Sequence, residues 1–152
     1  MLSQQEISDR FELIDLLIRY AHAVDTRSWD TFDELFTADA IIDYTAFGAP
    51  RGTVPETKAY LASVMPGFPA FQHLVSNPLL VIDGDTATGR TMCFNPMAVA
   101  RPEGESGEPR VFFCGLWYLD RFVRTDDGWR IAERVEEKSW VHNMGAAFGG
   151  HA

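Results

Sequence analysis

Apolar residues recur at three- and four-residue steps near the start of the chain: Ile7, Phe11, Ile14, Leu17 or Ile18, and Ala21. Leu13, Leu16, Tyr20 and Val24 widen the stripe. The spacing predicts a long amphipathic helix over about residues 4–24, with one broad buried face. Ser3-Gln4-Gln5-Glu6 fits a capping box at its start. Thr26-Arg27-Ser28 breaks the pattern, and Ser28 is placed to cap a short second helix carrying Trp29, Phe32, Leu35 and Phe36. Ala40 to Tyr44 reads as a strand and Gly48 to Gly52 as a turn. Thr53 or Pro55 opens a third helix through about Met65, ended by Pro66-Gly67.

The texture then changes. Phe71 to Ile82 is rich in β-branched and apolar residues and predicts a long strand, closed by the hairpin signal Asp83-Gly84-Asp85. Thr86–Ala100, Val111–Val123 and Trp129 to about His142 predict three more strands. A polar loop, Arg101–Pro109, and the hairpin signal Thr125-Asp126-Asp127-Gly128 separate them. On the last strand Arg130, Arg134, Glu136 and Lys138 fall on one side, the pattern of a solvated face or of a polar rim at an oligomer contact. Phe112, Trp117, Tyr118 and Trp140 read mostly as core or subunit contact. The Gly-rich tail, residues 145–152, is expected to be loose or a small flap. Helices first and antiparallel strands after is the order of an α+β fold, with helices on one face of a curved sheet. No linker or repeat divides residues 1–152, so a single domain is expected. Where the first helix fails to fill the concave face, a pocket remains.

Composition narrows the partners. The chain has 152 residues, 46% hydrophobic and 23% charged, as expected of one globular core. Its 11 Phe, 4 Trp and 4 Tyr are enough to line a cavity as well as fill a core. The net charge of −9 repels phosphate backbones and anionic lipid, so nucleic acid and membrane surfaces are poor partners. Cys93 and Cys114 lie in apolar runs and read as buried free thiols. Neither CxxC nor HExxH spacing occurs, so nothing supports a zinc site. The N-terminus shows no signal peptide and no apolar run spans a membrane, which argues for the cytoplasm.

Five polar residues stand in otherwise apolar surroundings: Tyr20, Asp25, Tyr44, His73 and Asn95. A buried polar group without a partner costs roughly 1–3 kcal/mol, so such a set either satisfies itself or lines a cavity for a polar ligand. Bland readings exist for each. Asp25 could cap the second helix or pair with Arg27, His73 could be a hydrogen-bonded core residue, and Tyr20 a core aromatic. Asn95, before Pro96, could mark a strand irregularity. His22 faces away from Tyr20, and neither His142 nor His151 is assigned a role. The chemical reading is more specific. A carboxylate beside an imidazole fixes its tautomer and stabilises its protonated form. Free imidazole titrates near about 6.5, which suits proton transfer at neutral pH. A phenol hydroxyl can donate to a developing enolate oxygen. Together they suit proton abstraction beside a carbonyl, followed by loss of a β-hydroxyl as water or reprotonation elsewhere.

Tyr20 and Asp25, followed by Thr26-Arg27-Ser28-Trp29-Asp30 and Leu35-Phe36-Thr37-Ala38-Asp39-Ala40, resemble the SnoaL-like branch of the nuclear-transport-factor-two-like superfamily. The stretch Phe71-Gln72-His73-Leu74-Val75-Ser76-Asn77 and the closing Asp127-Gly128-Trp129-Arg130-Ile131 also fit, so the resemblance covers nearly the whole chain. That superfamily includes scytalone dehydratase, bile-acid 7α-dehydratase, ketosteroid isomerase and polyketide cyclases, and the dehydratase pattern is the nearest. Tyr20, Asp25 and His73 match the helix and strand positions of those dehydratases, and Tyr44 matches a second pocket tyrosine. Asn95 departs from it: scytalone dehydratase carries a second histidine there, and an amide is neither acid nor base. The resemblance implies an α+β cone, a curved mixed sheet wrapped around N-terminal helices. It implies a cofactor-independent lyase or isomerase, with neither metal nor organic cofactor, acting on a hydrophobic oxygenated ring compound. It further implies a homodimer or homotrimer. His73 oriented by Asp25 would be the base and then the acid, Tyr20 with Tyr44 would hold a carbonyl oxygen, and Asn95 would orient substrate. Two rivals remain: a polyketide cyclase or epoxide hydrolase, and a non-catalytic binding or association domain.

Overall fold

Capping decides where the chain first becomes helical. In a computed structural model describing residues 1–101 and 104–145, the Ser3 hydroxyl accepts from the Glu6 amide and the Glu6 carboxylate accepts from the Ser3 amide. Helix α1 then runs Gln4–Asp25. Its buried face is Leu13, Leu16, Leu17, Tyr20, Ala21, Ala23 and Val24, together with Asp9. This corrects the expected stripe, because Ile7, Phe11 and Ile18 are exposed. The helix carries two apolar stripes, and Asp9 selects between them. Its carboxylate takes a bidentate pair from Arg124 at 2.7 and 2.8 Å and a bond from the Trp129 indole at 3.1 Å. Turning the Ile7–Phe11 stripe inward would carry Asp9 away from both.

The second helix is shorter than expected. A 3-10 turn, Trp29–Thr31, leads into α2, Phe32–Leu35. Ser28 caps neither; its hydroxyl pairs with that of Thr26 at 2.9 Å. Strand β1, Phe36–Asp43, starts earlier than expected. The end of the anticipated turn becomes strand β2, Arg51–Thr53, antiparallel to β1. Helix α3, Val54–Val64, follows with the Glu56 carboxylate accepting from the Thr53 amide at 2.8 Å.

The rest is sheet: β3 Ala70–Phe71, β4 Leu74–Asp83, β5 Thr86–Val99, β6 Arg110–Thr125 and β7 Gly128–His142. The order is β2-β1-β7-β6-β5-β3, with β4 also paired to β5. Only the β1–β7 pairing is parallel, so the sheet is mixed. It curls as a half-barrel around the helices, giving the α+β architecture expected. Gly84, at φ +56°, makes the β4–β5 turn. Gly115 admits the Trp140 indole against its backbone, where a Cβ would lie only 2.2 Å from the ring nitrogen.

Two expectations about strands need correction. The predicted strand from Phe71 is interrupted at Gln72-His73 and shifts register again between Ser76 and Leu79, where Asn77 has φ +51°. The polar side of the last strand is not a solvated face. Arg134 is fully buried, paired with Asp120 at 2.7 and 2.8 Å and in cation–π contact with the rings of both Tyr20 and Tyr118. Glu136 is half-buried and lines an internal cavity. A one-residue register shift after Ile131 is the reason: Trp129 and Ile131 face the core before it and Arg134 and Glu136 after it, so Arg130 lies on the opposite side from them, and Lys138 is exposed. Cys93 and Cys114 are buried free thiols, as expected. No helix among the described residues is long and apolar enough to cross a membrane. Most of the tail expected to be loose, residues 146–152 with His151, lies outside the described residues, as do Pro102 and Glu103 of the polar loop.

Candidate active site

The site begins with a missing donor. Across β5, Gln72 stands opposite Pro96, and the Gln72 amide donates to the Pro96 carbonyl at 3.2 Å. Proline has no N–H to return, so the ladder breaks there. The next pair, His73 and Asn95, is a non-hydrogen-bonded pair. In such pairs the amides point away from the partner strand and the side chains approach most closely. Both consequences are visible. The His73 amide, on an open edge, donates to the Asp25 carboxylate at 3.0 and 3.1 Å. The Asn95 side-chain amide reaches the His73 ring at 3.1 Å.

Asp25 is the last residue of α1, so the helix delivers its carboxylate to that edge. Its Oδ1 also lies 2.7 Å from His73 Nδ1. A carboxylate only accepts, so Nδ1 carries the proton and Nε2 presents a lone pair. Asn95 Nδ2 donates to that lone pair, while Asn95 Oδ1 is buried without a partner. The alternative pairing with Arg27 does not occur. The Arg27 guanidinium donates instead to the carbonyls of Phe68 at 3.0 Å and Met65 at 3.4 Å.

His73 and Asn95 form part of the wall of a cavity between α1, α3 and the concave sheet, about 620 Å³ counted to its open mouth. Tyr20 and Tyr44 line it too, their hydroxyls hydrogen-bonded to each other. Asp25 does not line the cavity; it stands behind the ring of His73. Burial pushes the Tyr20 hydroxyl up to about 12 and Tyr44 well above its ordinary value, so both remain neutral donors. Most of the remaining wall is apolar, including Val24, Phe47, Leu61, Met97 and Leu116. Thus all five polar residues singled out from the sequence converge on one place, four at the wall and Asp25 one layer out.

Glu136 completes the polar wall, and the sequence reading had placed it with the solvated residues. Burial pushes its carboxyl up to about 8, against the opposing pull of Arg134. The available signal was its position two residues from Arg134 on a strand facing the first helix. Among the described residues no cluster of His, Cys, Asp and Glu could hold a metal ion. His22 is exposed, as expected, and His142 only packs against Phe113.

With this geometry established, comparison with known proteins is informative. A family model described as SnoaL-like domain matches residues 5–135. An uncharacterised protein of Mycobacterium tuberculosis is 49% identical over 144 residues, 95% of each chain. A crystal structure from Novosphingobium aromaticivorans, provisionally named a scytalone dehydratase, superposes with TM-score 0.79 at 15% identity, covering 93% of this chain and 91% of that one. A hexachlorocyclohexane dehydrochlorinase of Novosphingobium barchaimii superposes with TM-score 0.75 at 19% identity, covering 96% and 94%. At such identities the two structures establish a shared fold.

Proposed function

The chain belongs to the SnoaL-like family, and from that premise we propose that it is a cofactor-independent lyase acting on β-oxygenated cyclic ketones of steroid, polyketide or aromatic type. The observation that carries the reading is the Asp25–His73 contact of 2.7 Å, with the other edge of the imidazole turned to an open, mostly apolar cavity. A cavity packed shut with aromatic rings, or a separated pair, would have favoured a binding module instead.

In the proposed reaction the Tyr20–Tyr44 hydroxyl pair holds the substrate carbonyl oxygen. His73 Nε2 removes a proton from the adjacent carbon, and negative charge developing on the oxygen is met by the phenols. Asp25 holds the ring in the tautomer that puts the lone pair on Nε2, which takes the carbon proton once Asn95 Nδ2 gives up its hydrogen bond to it, and stabilises the imidazolium that forms. Asn95 follows the proton. Its Nδ2 faces the neutral ring, and a half-turn of the amide brings the unpartnered Oδ1 to the new Nε2–H. The electron pair of the broken C–H bond forms a C=C bond as the β-oxygen leaves. Elimination is favoured over isomerisation by the names carried by two structural relatives, a dehydratase and a dehydrochlorinase. We also take the protein to be a homo-oligomer, because alternate residues of β5 and β6 put the stacked Phe94–Phe113 pair on the outer face beside exposed Trp140 and Val141.

The test uses 3-hydroxy-1-tetralone, whose loss of water gives 1-naphthol. We expect the wild type to form 1-naphthol and His73→Ala to be slower by about 10²–10⁴. Equal turnover by the variant would overturn the assignment of the base.

A further inference from the structure

Elimination of water needs two proton jobs, one at carbon and one at the leaving oxygen, and hydroxide is a poor leaving group without the second. The dyad accounts for the first. We propose that Glu136 is the catalytic acid for the second, donating its carboxyl proton to the departing β-hydroxyl, which makes the substrate class of this site a β-hydroxy rather than a preactivated ketone. The inference rests on the proposed function and goes beyond the dyad.

Geometry is the first support. Glu136 lies on β7 and lines the same cavity as Tyr20, Tyr44, His73 and Asn95. Its carboxyl makes no hydrogen bond or ion pair with any described residue. The nearest cation on its strand, Arg134, is committed to Asp120. A carboxyl left unpartnered in a cavity wall is costly unless a ligand engages it. The other polar wall residues are less suited: Tyr20 and Tyr44 hold the carbonyl oxygen, Asn95 cannot titrate, His73 must be neutral to take the carbon proton, and burial makes Tyr60 and Cys114 weaker acids still.

Protonation state is the second support. Burial keeps the Glu136 carboxyl protonated at neutral pH, with its titration moved up to about 8. The titratable groups around it are neutral there: Tyr20 on α1, Tyr44 after β1, Tyr60 on α3 and Tyr118 on β6. Cys93 on β5 and Cys114 on β6 are also pushed upward by burial. The charged neighbours are Arg134, which favours the carboxylate, and Asp43 of β1, which opposes it. His73 lies in the β3–β4 link, backed by Asp25.

The balance is simple. His73 Nε2 gains the proton from carbon, the C–H pair becomes the C=C bond, and the C–O bond breaks toward oxygen. The leaving oxygen takes the Glu136 proton and departs as water. Imidazolium and carboxylate remain, and one proton passes from His73 to Glu136 through solvent to restore the starting state.

Two probes with the same acidic carbon separate this step from the first: 3-hydroxy-1-tetralone and 3-(4-nitrophenoxy)-1-tetralone, whose phenoxide leaves without protonation. We expect Glu136→Gln to slow the hydroxy probe by at least about 100-fold and the nitrophenoxy probe by less than about fivefold, while His73→Gln slows both. Wild-type turnover of the hydroxy probe should fall as pH rises through about 8. Glu136→Asp should recover part of the loss. An equal effect of Glu136→Gln on both probes, or on neither, overturns the acid role and leaves the dyad standing. A wild type inactive on both probes, or a His73→Gln variant as active as the wild type, removes the proposed function itself. Infrared difference spectra of wild type minus Glu136→Gln at neutral pH give a readout independent of turnover. The carbonyl stretch of a protonated carboxyl must be present, and its absence also overturns the proposal.

Discussion

At the scale of single residues, burial and pairing decide what each polar group does, and the sequence discloses them unequally. Tyr20, Asp25, Tyr44, His73 and Asn95 were legible because each interrupts an apolar run; four of them line the cavity and Asp25 stands behind His73. Glu136 was not legible, because it alternates with charged neighbours and only the register shift after Ile131 puts it on the inner side. Its carboxyl has a measurable signature. The group titrates near 8 in the fold, against 4.5 as its ordinary value. Its contribution to stability is therefore full below about pH 4.5 and is lost as pH rises toward 8. Over that window wild-type stability should fall relative to Glu136→Gln by at most about 1.4 kcal/mol per pH unit, and less where solvent screens the half-buried side chain. Urea titrations at about pH 5 and about pH 8 check it, and parallel pH profiles of the two proteins would contradict the burial.

At the scale of elements, helix and strand boundaries followed from caps, turns and periodicity, while rotation and register did not. The apolar pattern of α1 allows two inward faces. The choice is made by Asp9, whose pairing with Arg124 and Trp129 joins residues more than a hundred positions apart. That pairing also holds the Asp9 carboxyl well below the usual carboxylate range. Asp9→Asn should cost about 2 kcal/mol at neutral pH, less than a fully buried pair because Arg124 stays partly solvated. It should shift the urea midpoint without changing the slope. The deficit should shrink only at strongly acid pH, where the wild-type carboxyl is also protonated. The strand break at Gln72-His73 had a sequence signal that was read separately: Pro96 was noted as an irregularity, yet its pairing partner was invisible until the register was known.

At the scale of the whole molecule, one helix closing a curled sheet creates both the cavity and an outer face that retains apolar surface. Trp140, 48% exposed, and Val141, 41% exposed, lie beside the stacked Phe94–Phe113 pair. Sedimentation velocity should show a dimer or trimer, and Trp140→Glu should shift it toward monomer; a monomeric wild type would remove the association claim. The central claim is that His73, held by Asp25, takes a proton from the carbon beside a bound carbonyl. Deuterium wash-in at C2 of 1-tetralone, followed by NMR in heavy water, tests that step with no leaving group involved. The account expects wild-type protein to catalyse exchange, Asp25→Asn to be at least about tenfold slower, and His73→Ala to fall to the buffer rate. Exchange by His73→Ala at the wild-type rate would contradict it.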